Sequence, residues 1–417
     1  MRVLFTTWAE PAHLYSLIPL AWAARAAGHE VRVATPPSIV PAVTRTGMIG
    51  VPVGRDVAVE QIRNRADLAP WRSRGRWPRH WAARPDLLDA DLRPVLAALG
   101  DKQVTVAEAM ADDLVDFARS WRPDVIVHDS LTFAGPLAAA VIGVPAFGHT
   151  WGSATVMRVE LTDLTGPPLR AYQELFARFG ADPDRGPVGW LDPCPPSLRL
   201  PDPATRNRIP VRYTPYNGPG TVPTWVHRPG DGSGSGAAAR PRVCVTAGIS
   251  STKLRPGELP EMVGRTLRAL VAHDVEVVLA VGPGQAAGLG GVPKGVRVAE
   301  SVPMNALLPS CSAVVHHGGS GTGLTAAALG VPQLVLPQIP VTAEIGERLA
   351  DAGAGLILDP RLQDDPAAIG DAVEVLVNDG RHRRAATALA EEIGREPAPS
   401  TLVPLLEREA SAVLAGR

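Results

Sequence analysis

The stretch AVVHHGGSGTGLTAAALGVPQLVLP, residues 313–337, contains three local patterns in succession. An apolar run from Ala313 to His316 is typical of a buried strand, and it leads directly into a cluster of glycines. A segment rich in Leu and Ala follows and predicts a helix. A second apolar run, from Gln333 to Leu336, predicts another strand. A strand, a helix and a strand in succession form a βαβ unit, which predicts a parallel sheet.

The glycine cluster lies where the strand meets the helix, and this position suits the binding of an anion. Glycines let the backbone turn tightly and approach a ligand closely. The N–H groups at a helix start, together with the helix dipole, attract negative charge. The candidate phosphate-binding residues are His316, Gly318, Gly319, Ser320, Gly321 and Thr322.

A tight turn without a ligand is the alternative for this cluster. The cluster is not a P-loop, because no Gly-Lys-Ser/Thr sequence ends it. It is also not the dinucleotide fingerprint of a first βα turn. Residues Thr7 to His13 contain no glycine, which argues against an NAD-binding first domain.

The alternation of strands and helices extends to both sides of this stretch. A helix is predicted from Leu14 to Ala27 between the strands Val3–Thr7 and Val31–Ala34. The other predicted strands are Val125–Val127, Pro145–Phe147, Arg242–Thr246, Val275–Val281, Val296–Ala299 and Gly355–Leu358. Between the two halves, the Gly/Ser-rich segment Arg228–Arg240 has the composition of a flexible linker.

These patterns predict an α/β protein with two domains. Ligands of open α/β sheets bind beyond the carboxyl ends of the strands, so a shared ligand is expected in the cleft between the domains. We place an N-terminal domain at residues 1–215, a linker at 216–240, a C-terminal domain at 241–395 and a final helix at 396–417. The segment Gln61–Pro85, rich in Arg and Trp, has no clear period and is predicted to be a long excursion from the first domain.

The composition is that of an ordinary globular protein, with 45% apolar and 20% charged residues among 417. The formal net charge of -1 gives no reason to expect nucleic acid or an anionic membrane as a partner. Cys194, Cys244 and Cys311 form no Cys-x-x-Cys pair, so neither a disulfide framework nor a zinc site is expected. No apolar run reaches the ~20 residues of a membrane helix. The first residues lack a signal-peptide pattern, and we expect a cytoplasmic protein.

Several segments in the same order resemble one family of enzymes. The run from His316 to Thr322, followed by Gly330 to Gln333, resembles the nucleotide-sugar motif of family 1 glycosyltransferases (GT1). The resemblance covers nearly the whole chain and is strongest to the actinomycete enzymes that glycosylate natural products, above all the macrolide desosaminyltransferase-like subgroup. The other matching segments are PLAWA (19–23), RAAGHEV (25–31), LTFAG (131–135), YTPYNGP (213–219), GISS (248–251) and VPMNALLP (302–309).

The resemblance implies a GT-B fold, in which two Rossmann-like domains face each other across a cleft. It also implies that the donor is a thymidine diphosphate (dTDP) deoxysugar and the acceptor a hydrophobic polyketide or macrolide aglycone. Transfer would need no metal and no other cofactor. Beside the phosphate-binding residues above, the implied donor-binding residues are Ser250, Ser251, Val302, Met304, Gln338 and Thr342.

Sugar transfer with inversion needs a base that takes the proton of the acceptor hydroxyl, and histidine suits this role near neutral pH. His13 lies between the first strand and the first helix and matches the catalytic histidine of the family. Asp129 follows the strand Val125–Val127 and is the candidate partner that orients His13. A helix-capping or loop role is the alternative for Asp129. Trp8, Phe133 and Trp151 are the candidate acceptor-binding residues, with core packing as the alternative.

The chain departs from the family pattern at Val341, where the family usually has an acidic residue that binds the sugar hydroxyls. Gln338, Thr342 and Glu344 are candidates to replace that acid. A donor without hydroxyls at those positions is the alternative.

Two other functions stay open at this point. One is a catalytically weak, glycosyltransferase-like protein that assists another enzyme. The other is a nucleotide-sugar epimerase, which would need acid/base carboxylates in the cleft. The Gln61–Pro85 segment is a candidate docking surface for a P450-like helper protein, and covering the acceptor is its alternative role. The sequence is compatible with a monomer and with a homodimer.

Overall fold

The chain forms two parallel β-sheets. The computed structural model describes residues 1–417 except 64, 74–75, 153–167, 201–206, 228–239, 249–257, 290 and 416–417. Among the described residues, the strands of the first sheet are β1 (Arg2–Thr6), β2 (Glu30–Thr35), β3 (Ile49–Pro52), β4 (Val125–Asp129), β5 (Ala146–His149), β6 (Gly189–Asp192) and β7 (Arg208–Pro210). Their order is β3-β2-β1-β4-β5-β6-β7, and neighbouring strands are parallel.

The second sheet is built in the same way. Its described strands are β8 (Arg242–Thr246), β9 (Glu276–Val281), β10 (Arg297–Glu300), β11 (Ala313–His316), β12 (Gln333–Val335) and β13 (Gly355–Ile357). They are also parallel, in the order β10-β9-β8-β11-β12-β13. The first strand of each half therefore lies inside its sheet, as in doubly wound α/β folds.

Helices cover both faces of the sheets, because alternate side chains of the central strands are apolar in both directions. On β1, Val3 and Phe5 belong to one buried cluster and Leu4 to another on the opposite face. The helices of the first half are α1 (Pro11–Ala26), α2 (Val40–Arg45), α3 (Val59–Arg63), α4 (Arg93–Trp121), α5 (Ala134–Ile142) and α6 (Arg170–Arg178). Those that follow are α7 (Glu258–Leu270), α8 (Met304–Leu307), α9 (Ser320–Ala328), α10 (Pro340–Asp351), α11 (Pro366–Asn378), α12 (Gly380–Arg395) and α13 (Val403–Ala415). Within the described part of the chain, no helix is long and apolar enough to cross a membrane.

The predicted strands of both halves are present, with ends shifted by one or two residues. The sequence analysis missed β3, β6 and β7. These strands have only three or four residues, and β3 and β7 each end at a proline (Pro52 and Pro210). Short strands with proline at the end lack the length and the apolar run on which strand prediction depends.

The end of the chain packs on the first half. Leu402, Val403 and Leu406 share a buried cluster with Phe5 and Leu17. Apolar burial thus holds the last helix against the first sheet. The exact domain limits at residues 215, 240 and 395 stay predictions.

The excursion after α3 packs against the second half. Trp71, Trp77 and Trp81 contact one another edge to face, with ring centroids 5.0–5.7 Å apart. Beside them, Arg79 forms an ion pair with Asp351 at the end of α10. The backbone N–H of His80 donates to Glu347 on the same helix at 3.0 Å. The described part of this segment therefore bridges the two halves along α10. None of its described residues lines the cleft, so the structure does not show this segment covering a bound acceptor.

Candidate active site

A cleft of about 590 Å³ lies where the carboxyl ends of the two sheets face each other. Both halves contribute to its walls, and the connecting segment after β7 forms part of its floor. In that segment, the Tyr213 hydroxyl and the Asn217 amide donate to the Gly321 carbonyl at 3.0 and 3.2 Å. These bonds tie the connection between the halves to the first turn of α9.

His13 and Asp129 form a hydrogen-bonded pair on the N-terminal side of the cleft. The distance from His13 Nδ1 to Asp129 Oδ1 is 2.9 Å. The Asp129 side chain is fully buried, while 13% of the His13 side chain is exposed to the cleft. When Nδ1 carries the proton donated to Asp129, Nε2 is left as an acceptor that faces the cleft. The structure therefore brings together the two residues that the sequence analysis paired.

Two indole rings enclose the His13 imidazole. The ring centroids of Trp8 and Trp151 lie 5.2 and 5.3 Å from that of His13, both in edge contacts. Trp151 lines the cleft, whereas Trp8 is 3% exposed and lies in the core cluster behind it. Of the predicted acceptor residues, Trp151 thus faces the cleft. The prediction that Trp8 contacts an acceptor is wrong, because Trp8 is packed behind His13.

The glycine cluster forms the opposite wall, with Gly318, Gly319, Ser320, Gly321 and Thr322 lining the cleft. Helix α9 begins at Ser320, so its first N–H groups and the positive end of its dipole point toward the cleft. The Ser320 hydroxyl has no hydrogen-bond partner in the described structure. The Ser320 hydroxyl can therefore donate to an anion without losing an existing bond.

His316 does not have the predicted role of a direct phosphate donor. Its Nδ1 accepts the Gly318 N–H at 3.1 Å, and its Nε2 donates to the Gln333 Oε1 at 2.9 Å. Gln333 in turn donates to the Gly323 carbonyl on α9 at 3.0 Å. His316 is fully buried and does not line the cleft. Since both ring nitrogens are used, it fixes the glycine turn and the start of α9 from behind.

His317, which the sequence analysis did not select, lines the cleft in its place. Its ring fits between two glycines: a Cβ added at Gly248 or Gly319 would come within 2.7 or 2.6 Å of it. Burial, and then the neighbouring His316, lower the pKa of His317 to about 3, so the ring is neutral at pH 7. Its position next to His316 was a usable clue, because successive residues at a strand end point to opposite sides.

The other predicted donor residues are distributed along the same wall. Val302, Met304, Gln338 and Thr342 all line the cleft. The Thr342 hydroxyl accepts the backbone N–H groups of Gln338 and Ile339, both at 3.2 Å, and so shapes the turn before α10. Ser250 and Ser251 lie outside the described residues.

Comparisons with known proteins agree with this architecture. Residues 22–248 match the family described as erythromycin biosynthesis protein CIII-like, N-terminal domain, and residues 264–408 match the corresponding C-terminal domain. The chain belongs to the erythromycin biosynthesis protein CIII-like family. This CIII-like chain is a glycosyltransferase with the GT-B fold, as the resemblance predicted.

Its relatives are similar over nearly their full lengths. The chain is 38% identical to 10-deoxymethynolide desosaminyltransferase of Streptomyces venezuelae, covering 99% of this chain and 97% of the relative. It is 37% identical to tylactone mycaminosyltransferase of Streptomyces fradiae, covering 98% and 92%. Among solved structures, glycosyltransferase VinC in complex with dTDP is similar with a TM-score of 0.79, at 31% identity over 99% of this chain and all of VinC. Spinosyn rhamnosyltransferase SpnG has a TM-score of 0.80, at 30% identity over 98% and 100%.

Phe133 of this CIII-like enzyme is a core residue, which corrects its predicted role in acceptor binding. It is 4% exposed, and its ring contacts that of Tyr172 on α6 at a centroid distance of 5.4 Å. Both rings belong to the cluster on the outer face of the first sheet. Phe133 therefore packs α6 against the sheet and does not line the cleft.

Val341 lines the cleft, but Glu344 lies outside it. The Glu344 carboxyl enters a separate cavity of about 30 Å³ between the two halves, where Ser320 and Arg348 also contribute to the wall. Neither carboxyl oxygen has a hydrogen-bond partner in the described structure. The proposed replacement of the family's acid by Glu344 is thus not seen. Ile339, Val341 and Ile345 give this part of the cleft an apolar wall.

Glu344→Gln is expected to stabilise the protein at pH 9 and to change its stability little at pH 4.5. Burial, and then the nearby Glu347, raise the pKa of Glu344 to about 8, against the opposing effect of Arg348. The native state therefore keeps a proton that the unfolded chain releases above its ordinary pKa of 4.5. Stability is lost as the pH rises from about 4.5 to 8, on the order of 5 kcal/mol in total. Urea unfolding at the two pH values tests this, with the exposed Glu391→Gln as control. Equal effects at both pH values would contradict it.

Gly318→Ala is expected to lower the affinity for dTDP at least about tenfold and to destabilise the protein by about 2 kcal/mol. Gly318 has a φ of +93°, and a Cβ there would come within 2.5 Å of the Thr342 carbonyl oxygen. The glycine turn would have to move away from the start of α10. Gly28→Ala is the control, because Gly28 has a φ of +90° with nothing within 4 Å. Calorimetric titration with dTDP compares the two variants. Unchanged affinity in Gly318→Ala would show that this turn does not bind the donor.

Proposed function

We propose that this enzyme transfers a deoxysugar from a dTDP-sugar to a hydroxyl of a hydrophobic polyketide or macrolide aglycone, with inversion at the anomeric carbon. The observation that carries the proposal is the His13–Asp129 pair, which faces the anion-accepting start of α9 across one cleft. Two of the relatives are a 10-deoxymethynolide desosaminyltransferase and a tylactone mycaminosyltransferase, and VinC and SpnG were solved with dTDP. SpnG was also solved with the spinosyn aglycone.

In this mechanism His13 Nε2 takes the proton of the acceptor hydroxyl while the hydroxyl oxygen forms a bond to the anomeric carbon. The bond from that carbon to the diphosphate oxygen breaks, and dTDP leaves with the electron pair. The imidazolium that forms on His13 is stabilised by the Asp129 carboxylate.

The charge that develops on the diphosphate is stabilised by backbone N–H groups and hydroxyls, not by a histidine cation. Burial lowers the pKa of His316 to about 4, and His317 is neutral for the reason given above. The donors that remain are the N–H groups at the start of α9, the hydroxyls of Ser320 and Thr322, and the single ring N–H of the neutral His317. Such preorganised dipoles stabilise developing charge because they need no reorientation during the reaction.

The residue types that line the cleft favour sugar transfer over epimerisation. The described residues that line it include no aspartate or glutamate, whereas an epimerase needs acid/base carboxylates there. The apolar wall of Ile339, Val341 and Ile345 suits a sugar that lacks hydroxyls on the facing carbons. The same apolar wall supports the proposal that the donor carries a deoxysugar.

The proposed function is tested in two steps. Calorimetric titration with dTDP, with UDP and NAD as controls, is expected to show micromolar binding of dTDP. Incubation with dTDP-deoxysugars and macrolactone acceptors is then expected to give a glycoside with inverted anomeric configuration by NMR. Binding of dTDP without transfer to any acceptor would instead favour the auxiliary-protein function.

The metal-free mechanism, the P450-like helper and the homodimer stay predictions. In the described ranges, no three His, Cys, Asp or Glu side chains are grouped to hold a metal ion. Turnover by the purified chain alone, at the rate seen with added helper candidates, would exclude a required helper.

A further inference from the structure

Thr132 joins the segment that leads into α1, where His13 lies, to the carboxyl end of β4, where Asp129 lies. Its hydroxyl oxygen accepts the backbone N–H of Trp8 at 3.0 Å, and its O–H donates to Asp129 Oδ2 at 3.1 Å. Trp8 belongs to the loop between β1 and α1 that leads to His13. Asp129 is the last residue of β4, and Thr132 belongs to the turn between β4 and α5. Thr132 is 1% exposed and does not line the cleft, so it has no direct contact with a substrate there.

The Thr132 hydroxyl completes the hydrogen bonding of the Asp129 carboxylate. Asp129 Oδ2 accepts two donors, the Thr132 O–H and the Leu131 N–H, both at 3.1 Å. Oδ1 is thereby directed at His13 Nδ1. Because the carboxylate is fully buried, its orientation is set by these bonds and not by water.

We propose that Thr132 is a positioning residue for glycosyl transfer, which holds Asp129 and the Trp8 backbone so that His13 Nε2 faces the acceptor hydroxyl. This inference rests on the proposed role of His13 as the base. Without the hydroxyl, the buried Trp8 N–H loses its acceptor and Asp129 Oδ2 loses one donor. On Oδ2 the carboxylate is then held only by the Leu131 N–H, so its orientation toward His13 is less fixed and the proton on His13 is held less firmly at Nδ1.

The direct test is Thr132→Val, which keeps the shape of the side chain and removes only its hydrogen bonds. We expect kcat to fall about tenfold or more, which is a part of the roughly 10²–10⁴-fold effect of a general base, with KM and the dTDP dissociation constant within about twofold of wild type. Thr132→Ser restores the hydroxyl and is expected to recover most of the lost kcat. Thr35→Val is the matched control. Thr35 is also fully buried, but its hydroxyl has no hydrogen-bond partner in the described structure.

A second readout does not depend on turnover. In ¹⁵N-histidine-labelled protein, the ring shifts of His13 are expected to show the Nδ1-protonated tautomer in wild type and a mixture of tautomers in Thr132→Val. Unchanged ring shifts, an equal loss of kcat in Thr35→Val, or no recovery in Thr132→Ser would each overturn the proposal. If wild type bound dTDP but transferred no sugar, the proposed function would fail while the tautomer measurement still decided the positioning role.

Discussion

His13→Ala is expected to lower kcat about a thousandfold, within the range usual for loss of a general base, and to leave the affinity for dTDP within about twofold of wild type. The imidazole faces the cleft from the N-terminal half, and the predicted diphosphate site lies on the opposite wall. The variant therefore loses the acceptor's base and keeps every group proposed to hold the donor. Steady-state kinetics combined with dTDP calorimetry measures both quantities on the same samples.

The control is His227→Ala, since His227 is exposed and does not line the cleft. Asp129→Asn is expected to lower kcat as well. Its amide oxygen is needed where Oδ2 accepts the Leu131 N–H and the Thr132 O–H, so the NH2 group faces His13, donates to Nδ1 and favours the other His13 tautomer. If His13→Ala kept more than a tenth of the wild-type kcat, another group would be the base. The chemistry proposed for the cleft would then be wrong, although the donor site would be unaffected.

The protein is expected to unfold in mild acid, between about pH 6.5 and 4. Burial lowers the pKa of His128, His149 and His316 to about 4 and that of His317 to about 3. Because these histidines are neutral in the native state and more basic in the unfolded chain, the unfolded state binds more protons below pH 6.5. Stability is therefore complete above about pH 6.5 and is lost as the pH falls toward 4. As the pH falls from 6.5 to 4, each histidine lowers the free energy of unfolding by about 3 kcal/mol, so together they approach the whole stability of a typical domain.

Urea unfolding followed by circular dichroism at pH 7.5, 6.0, 5.0 and 4.0 measures this loss. Glu344 acts in the opposite direction between pH 4.5 and 8, and the two effects together place the maximum of stability near neutral pH. His149→Asn keeps a donor for the Thr150 carbonyl, which the ring contacts at 2.7 Å, and removes one titrating group. It is expected to reduce the acid sensitivity by about a quarter. A urea midpoint of unfolding that stays constant from pH 7.5 to 4.5 would contradict the neutral, buried state of the four histidine rings.

Much of the site was predictable because strand ends in a parallel sheet gather at one edge. His13 follows β1 and Asp129 ends β4, and these strands are direct neighbours. The glycine cluster after β11 was assigned to the facing wall on the same reasoning, and Gly318 to Thr322 line the cleft. Local patterns were enough here, since each residue's place depended only on the end of the strand that precedes it.

Other assignments depended on contacts between distant parts of the chain. Phe133 follows Asp129 closely, yet it packs on Tyr172, a residue of α6 that sequence spacing does not connect to it. The excursion beyond α3 contacts Glu347 and Asp351, more than 260 residues away. No local period encodes such pairings, because the first arises only when α6 packs on the first sheet and the second only when the two halves are folded against each other.

By itself, the sequence determined the two parallel α/β halves, the helix that follows the glycine cluster, and the pairing of His13 with Asp129. Apolar periodicity and the order of strands along the chain are local properties, and they were sufficient for these features. Only the tertiary structure decided that His317 and not His316 faces the cleft, that Glu344 lines a separate cavity, and that Thr132 links the segment before His13 to Asp129. The physical reason is the same in each case. The direction of a buried polar side chain is set by the partner available to it, such as Gln333 for His316, and that partner comes from another strand, helix or loop.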